Sequence, residues 1–179
     1  TFRLGLSTGV TPVSLYKWLT RKYQEGKVSF SNVEVYSIDE YYPYGKGEPQ
    51  SRNSILHNSL LNAVDIKEEN IHIPDGSVPE DKITAYCEEY DKMVRGLDML
   101  VIGMGEMAQV GFNEAGTSPV SRTRTVLLSY QSRKRQGKNF NGDFKHTPSQ
   151  AITIGIDTMM SAKKIVLMAW GEDKAKLDA

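Results

Sequence analysis

A short apolar run, Leu97, Met99, Leu100, Val101 and Ile102, breaks at Gly103 into the sequence GMGEMAQVGFNEAG, which ends at Gly116. A run of strand length that is apolar throughout fits a strand buried on both faces of a parallel sheet. Gly103 and Gly105 end it, and glycines there let the backbone turn sharply and approach a ligand without a Cβ in the way. Phe112, Asn113 and Glu114 then supply an apolar anchor beside two polar side chains, the layout of an active-site loop. A plain strand exit with a surface Asn-Glu pair has the same spacing.

The rest of the chain alternates around this strand. Residues 2–6, 33–38, 151–156 and 164–170 read as further strands, 71–76 as a short extended piece and a turn. Helical patterns cover the run from Val13 through Leu15, Tyr16, Leu19 and Tyr23, and residues 50–64 and 79–94. Ile83, Tyr86, Cys87 and Tyr90 fall on one face of the last, which makes Cys87 a packing residue. Alternation of this kind, without repeats or low-complexity linkers, predicts an α/β fold: a mainly parallel sheet with helices on both faces. With 179 residues, 39% hydrophobic and 25% charged, the chain is long enough for one core, so a single domain over 1–179 is expected. The formal charge of zero gives no global field for nucleic acid or an anionic membrane, and no apolar run approaches spanning length. One cysteine excludes an intrachain disulfide and a Cys-based metal site, and fits a reducing cytoplasm. The chain opens inside an expected strand and stops just after a strand and a helix start, which reads as truncation at both ends.

In open parallel sheets, ligands bind outside the carboxyl ends of the strands, and four polar segments follow expected strands. Ser7-Thr8-Gly9-Val10-Thr11-Pro12 comes first; Thr11 is a good N-cap and Pro12 a good first helical residue, leaving a helix N-terminus to face an anion. Asp39 and Glu40 emerge next, and adjacent acids point different ways, so one can accept a carbon-bound proton while the other is structural. The central loop is third, and Gly171-Glu172-Asp173-Lys174-Ala175 fourth. The basic residues Arg133, Arg135 and Lys138 have the composition of a solvated face, while Arg52 and His57 have no evident partner, and His57 reads as a surface histidine.

The central loop GMGEMAQVGFNEAGT resembles that of the glucosamine-6-phosphate deaminase (isomerase) family, roughly G-x-G-x-D-G-H-I-x-F-N-E-P-G-S. The glycines, Phe112, Asn113, Glu114 and Gly116 stand in its pattern, but Met107 replaces its Asp, Ala108 a Gly and Gln109 its His. Residues 6–12 resemble the family's L-x-T-G-x-T-P phosphate loop, Asp39-Glu40-Tyr41 its D-E-Y, Ser121 to Arg124 its S-R-T-R, and Gly171 to Ala175 its G-x-x-K-A. The resemblance covers nearly the whole chain. It implies a three-layer Rossmann-like fold and an enzyme that opens an amino-sugar phosphate, moves a proton between C2 and C1 and releases ammonia, with no cofactor and no metal. It further implies Asp39 as the base, Glu114 and the Gln109 position in ring opening, and Thr8, Gly9, Thr11 and Lys174 on the phosphate. One of Arg133, Arg135 and Lys138 would add a grip there, and we carry Lys138. The implied partner is a small phosphorylated sugar, the implied assembly a homo-oligomer and the compartment the cytoplasm. A glutamine hydrogen-bonds but carries no proton at neutral pH, so slow deamination is expected. The alternatives are a phosphosugar-binding sensor and a hydrolase resembling 6-phosphogluconolactonase.

Overall fold

The computed structural model describes residues 1–175. In chain order the elements are β1 (Phe2–Leu6), α1 (Val13–Gln24), β2 (Val33–Ser37), β3 (Asp39–Tyr42), α2 (Arg52–Ser59), β4 (Ile71–His72), α3 (Ile83–Val94), β5 (Met99–Gly103), β6 (Arg124–Leu127), α4 (Tyr130–Gln136), β7 (Gln150–Thr153), α5 (Ile156–Met160) and β8 (Ile165–Met168). Five strands form an all-parallel sheet in the order β4-β2-β1-β5-β8. The apolar run 97–102 lies in and just before β5, inside the sheet as its composition requires.

Alternation along these strands builds two cores, one on each face. Leu4, Leu6, Val35 and Val101 pack with Tyr16 of α1 and with Leu56 of α2 and Leu60 just after it. Tyr36, Leu100 and Ile102 point the other way and pack with Tyr90 and Val94 of α3 and Met159 of α5. Each such side chain contributes roughly 1.5–3 kcal/mol through burial, so the two faces together define the three layers. Gly5 sits where a Cβ would lie 2.6 Å from Leu97 and Leu100, which explains a glycine in the middle of a buried strand.

The structure adds an element that alternation did not mark. β3, β7 and β6 form a separate antiparallel sheet, with Asp39 opposite Thr153 and Arg124 opposite the same threonine on its other side. Of the segment 151–156, expected as another strand of the main sheet, residues 151–153 therefore belong here in β7, while Ile156 already opens α5. Asp39 to Tyr42, expected as a strand's exit, are themselves a strand and are all buried. One face of this sheet packs Tyr41 and Ala151 against Phe112 and Leu128, and the other packs Tyr42 and Ile152 against Ile83 and Cys87 of α3.

Helix boundaries differ in instructive ways. Residues 50–64 split, because Leu60 leaves helical geometry (φ −149°) and a 3₁₀ turn, Leu61–Ala63, follows. The third helix starts at Ile83, after a turn in which the Lys82 N–H donates to the Pro79 carbonyl (2.9 Å). Thr11 does not cap α1: Pro12 occupies the N-cap position without a side-chain bond, and the Thr11 hydroxyl accepts from Lys174 instead. The basic stretch after Ser129 forms α4, with Ser129 accepting from the Ser132 N–H (3.2 Å) as its cap.

Candidate active site

The loops that follow β1, β5 and β8 are tied together at the carboxyl edge of the parallel sheet. The Gly103 N–H donates to Ser7 Oγ (3.2 Å), and the Met104 N–H donates to the Met168 carbonyl (3.2 Å). A Cβ on Gly103 would approach Thr11 Cβ to 3.1 Å, so this glycine lets two loops close on each other. Lys174 then reaches across, its Nζ donating to Thr11 Oγ1 (3.2 Å) and to the Met104 carbonyl. Residues 163 positions apart in sequence thus meet at the start of α1, beside half-buried Thr8 and exposed Gly9, whose φ of 108° only glycine adopts freely. A lysine ammonium and a threonine hydroxyl thus meet at the start of α1.

The second cluster surrounds Asp39. It is 5% exposed, and its Oδ1 lies 3.2 Å from Nε of Arg52, the first residue of α2. The approach is off the N–H axis, so the two charges pair without completing a hydrogen bond. Burial raises the Asp39 pKa above the usual carboxylate range, with the Arg52 charge opposing. For Arg52, burial pulls downward, but Asp39, Tyr41 and Glu40 more than restore its charged form. Its guanidinium sits 4.7 Å from the Tyr41 ring centroid and 5.2 Å from that of Phe112. Phe112 belongs to the central loop, so this stack joins the Asp39 cluster to it.

Glu40 takes the structural part that adjacent acids allow. Its carboxylate accepts from the N–H groups of Tyr41 (2.8 Å), Arg52 (3.0 Å) and Asn53 (3.1 Å), closing the first turn of α2. Burial pushes its pKa up to about 7, with those three donors holding it down.

The central loop keeps its frame. Asn113 donates to the carbonyls of Val110 (3.0 Å) and Ile154 (2.8 Å) and accepts from Arg124 (3.0 Å), and the Phe112 N–H donates to Thr153 Oγ1 (3.2 Å). Gln109 turns back on its own loop: its Oε1 accepts from the Met107 N–H (2.9 Å), and its amide fills the space above Gly105, where a Cβ would come within 2.3 Å of it. Gly105 thus admits a side chain where the sequence suggested a ligand. Met107 is 60% exposed. Glu114 accepts from the Ser129 N–H (3.4 Å), Ser129 Oγ (3.1 Å) and Ser132 Oγ, so its carboxylate sits at the start of α4.

Of the three basic candidates, Arg133 donates to the carbonyls of Phe144 (3.2 Å) and Thr147 (3.0 Å), which is a structural task. Arg135 lies 3.9 Å from Glu106 of the central loop. Lys138 is exposed on the 3₁₀ turn Gly137–Phe140. Arg52 was the residue sequence reasoning passed over. An arginine in a helix's first turn opposes the helix dipole, and that conflict was the available signal that carboxylates wait nearby. Among the described residues, no group of three or more His, Cys, Asp or Glu side chains is placed to hold a metal ion. A groove of about 350 Å³ beside Tyr44 and Phe140 includes none of the nominated residues.

Ala108 has a φ of 59°, the left-handed region, where a Cβ costs roughly 1–2 kcal/mol. Ala108→Gly relieves this but adds unfolded-state entropy, so we expect a net gain of roughly 0.5–1 kcal/mol, about 1–4 °C in Tm. Thermal unfolding of the variant checks this, and a lower Tm would mean that the position carries no strain.

A protein-family model described as glucosamine-6-phosphate isomerases/6-phosphogluconolactonase matches residues 1–110. The glucosamine-6-phosphate deaminase of Lysinibacillus sphaericus is 40% identical over 174 residues, spanning 96% of this chain and 72% of that protein. Glucosamine-6-phosphate deaminase 2 of Bacillus subtilis is 40% identical over 176 residues, spanning 96% of this chain and 70% of that one. A solved monomeric glucosamine-6-phosphate deaminase superposes with a TM-score of 0.93 at 33% identity, covering 99% of this chain and 73% of that chain. The 6-phosphogluconolactonase of Thermotoga maritima, at 18% identity and a TM-score of 0.76, shares the fold. With a 33–40% identity that runs through nearly all of its length, the chain belongs to the glucosamine-6-phosphate isomerase/6-phosphogluconolactonase family.

Proposed function

We propose that the protein is a glucosamine-6-phosphate deaminase, an aldose-ketose isomerase that converts glucosamine 6-phosphate and water to fructose 6-phosphate and ammonia. The observation that carries this reading is the bond from Lys174 to Thr11 at the start of α1, which supports a phosphate corner on the same sheet edge as a buried carboxylate. In the open-chain sugar, Asp39 takes the C2 proton and returns it to C1, while O1 gains a proton and the C2 nitrogen gives one up. The C2 amine thereby becomes an imine, whose hydrolysis consumes one water and releases ammonia. Thr8, Gly9, Thr11 and Lys174 hold the phosphate, with Lys138 carried as the further basic grip and Arg135, 3.9 Å from Glu106 of the central loop, as its alternative. Glu114 and Gln109 shape the ring-opening side. Because position 109 holds a glutamine, whose amide carries no proton at neutral pH, that position has no proton carrier, which favours slow turnover and supports a second reading, a sensor that binds the phosphosugar without converting it.

Formation of fructose 6-phosphate from glucosamine 6-phosphate, with Asp39→Asn as control, tests the proposal. Turnover lost in the control supports the deaminase. Binding without turnover moves the assignment to the sensor, and 6-phosphogluconolactone hydrolysis in its place would move it to the hydrolase. Lys174→Met should weaken phosphosugar binding roughly 10–150-fold, since a hydrogen bond to a charged group contributes ~1.5–3 kcal/mol. Calorimetric titration reads this directly, and unchanged affinity would remove Lys174 from the phosphate site.

We treat residues 1–179 as one sugar-phosphate domain acting in the cytoplasm, where a phosphorylated sugar and the free, buried thiol of Cys87 are both at home. No helix among the described residues is long and apolar enough to cross a membrane. Homo-oligomerisation is the assembly we carry forward from the family, although the solved relative is monomeric, and light scattering of the purified protein decides it.

A further inference from the structure

Arg52 stands out because its charge is buried without being used for hydrogen bonding. Its side chain is 9% exposed and its Nε, like Asp39 Oδ1, has no hydrogen-bond partner. Its backbone N–H is held by Glu40 (3.0 Å), so the neighbour of Asp39 in sequence fixes where the arginine begins. The rings of Tyr41 (4.7 Å) and Phe112 (5.2 Å) then confine the guanidinium, and a stacked cation of this kind gives up little further freedom when it pairs. The groups facing Asp39 from the other packed elements are Tyr16 of α1, Tyr90 of α3 and Tyr41 of β3. The phenols are uncharged, so among the described residues Arg52 is the positive neighbour.

We infer that Arg52 is a positioning residue for the proposed base, holding the Asp39 carboxylate by Oδ1 and balancing its charge, while Oδ2, which no hydrogen bond occupies among the described residues, is left for the substrate. The role assigned to Asp39 rests on the deaminase reading; the pairing of the two charges does not. A bare carboxylate at this depth is driven towards its neutral form, which cannot accept a proton. An adjacent cation opposes that, so removing the cation moves Asp39 titration upward in pH and shifts the acid limb of the reaction with it.

The test compares wild type with Arg52→Gln, Arg52→Met and Arg52→Lys. Two quantities are read: the titration midpoint of the Asp39 carboxyl by carbon NMR, assigned with Asp39→Asn, and the pH profile of kcat/KM. We expect Arg52→Gln to raise the midpoint by roughly 1–3 pH units and carry the acid limb with it, while Arg52→Lys stays close to wild type. In the Asp39→Asn background, Arg52→Gln should cost no further activity. Arg52→Met keeps an apolar stem between the rings and replaces Arg52→Gln if that variant does not fold. An unmoved midpoint in the neutral variants, or a lysine variant that behaves like them, overturns the inference. A wild type with neither turnover nor proton exchange would defeat the deaminase reading, and the NMR titration would still decide the role of Arg52.

Discussion

Asp39→Asn should lower the exchange of the substrate's C1 or C2 proton with solvent by ~10³-fold and leave phosphosugar binding within about threefold of wild type. The amide has the shape of the carboxylate and still offers an oxygen to Arg52, but it cannot take a proton from carbon. The phosphate corner is built from other loops, since Thr11 and Lys174 follow β1 and β8, so affinity has no reason to fall with the base. The substitution does carry a stability cost, because it leaves the buried Arg52 charge without its partner. Thermal unfolding must therefore accompany the kinetics, and a folded variant that exchanges its proton at the wild-type rate removes Asp39 from the mechanism. Proton NMR in deuterium oxide measures exchange even where ammonia release is too slow to follow.

Much of this arrangement is legible in the amino-acid sequence. The apolar run into β5 and the alternation around it gave the parallel sheet, because a strand buried on both faces has few other homes. Lys174 and Thr11 were nominated on short motifs and meet through a hydrogen bond that no local pattern could foretell. The small antiparallel sheet stayed hidden for physical reasons. Asp39-Glu40-Tyr41-Tyr42 is buried on both faces yet carries two acids, so it has neither alternation nor an apolar run to mark it. β6 begins at Arg124 and is half-exposed along its length, and its basic flank masks the β-forming Thr125-Val126-Leu127. Arg52 escaped notice because its partners come from β3 and the central loop, and its own helix shows no stripe that would bury a charge. Thr11 reads as a cap on local grounds, but α1 starts at Val13 with Pro12 in the N-cap position.

The other large effect should come from restoring what the central loop lacks. Gln109→His combined with Met107→Asp should raise kcat for deamination by ~10²-fold, the lower end of what a positioned proton carrier supplies. The geometry bears on how that gain is reached. Gln109 at present closes the loop through the Met107 N–H and fills the room above Gly105, so a histidine enters a space already cleared of a Cβ. Its prospective orienting carboxylate, Glu114, is engaged by Ser129 and Ser132 at the start of α4 and must be shared or released. Ala108→Gly in the same variant relaxes the left-handed position between the two substitutions and lets the loop settle around the new ring. If ring opening limits the protein, the triple variant gains more than the double, and both gain in kcat with little change in KM. Proton exchange on the already open sugar should stay as it was, because Asp39 is untouched. A variant that folds, binds and gains nothing would mean that spontaneous ring opening already outruns the proton transfer at Asp39, and that the glutamine costs this protein no speed.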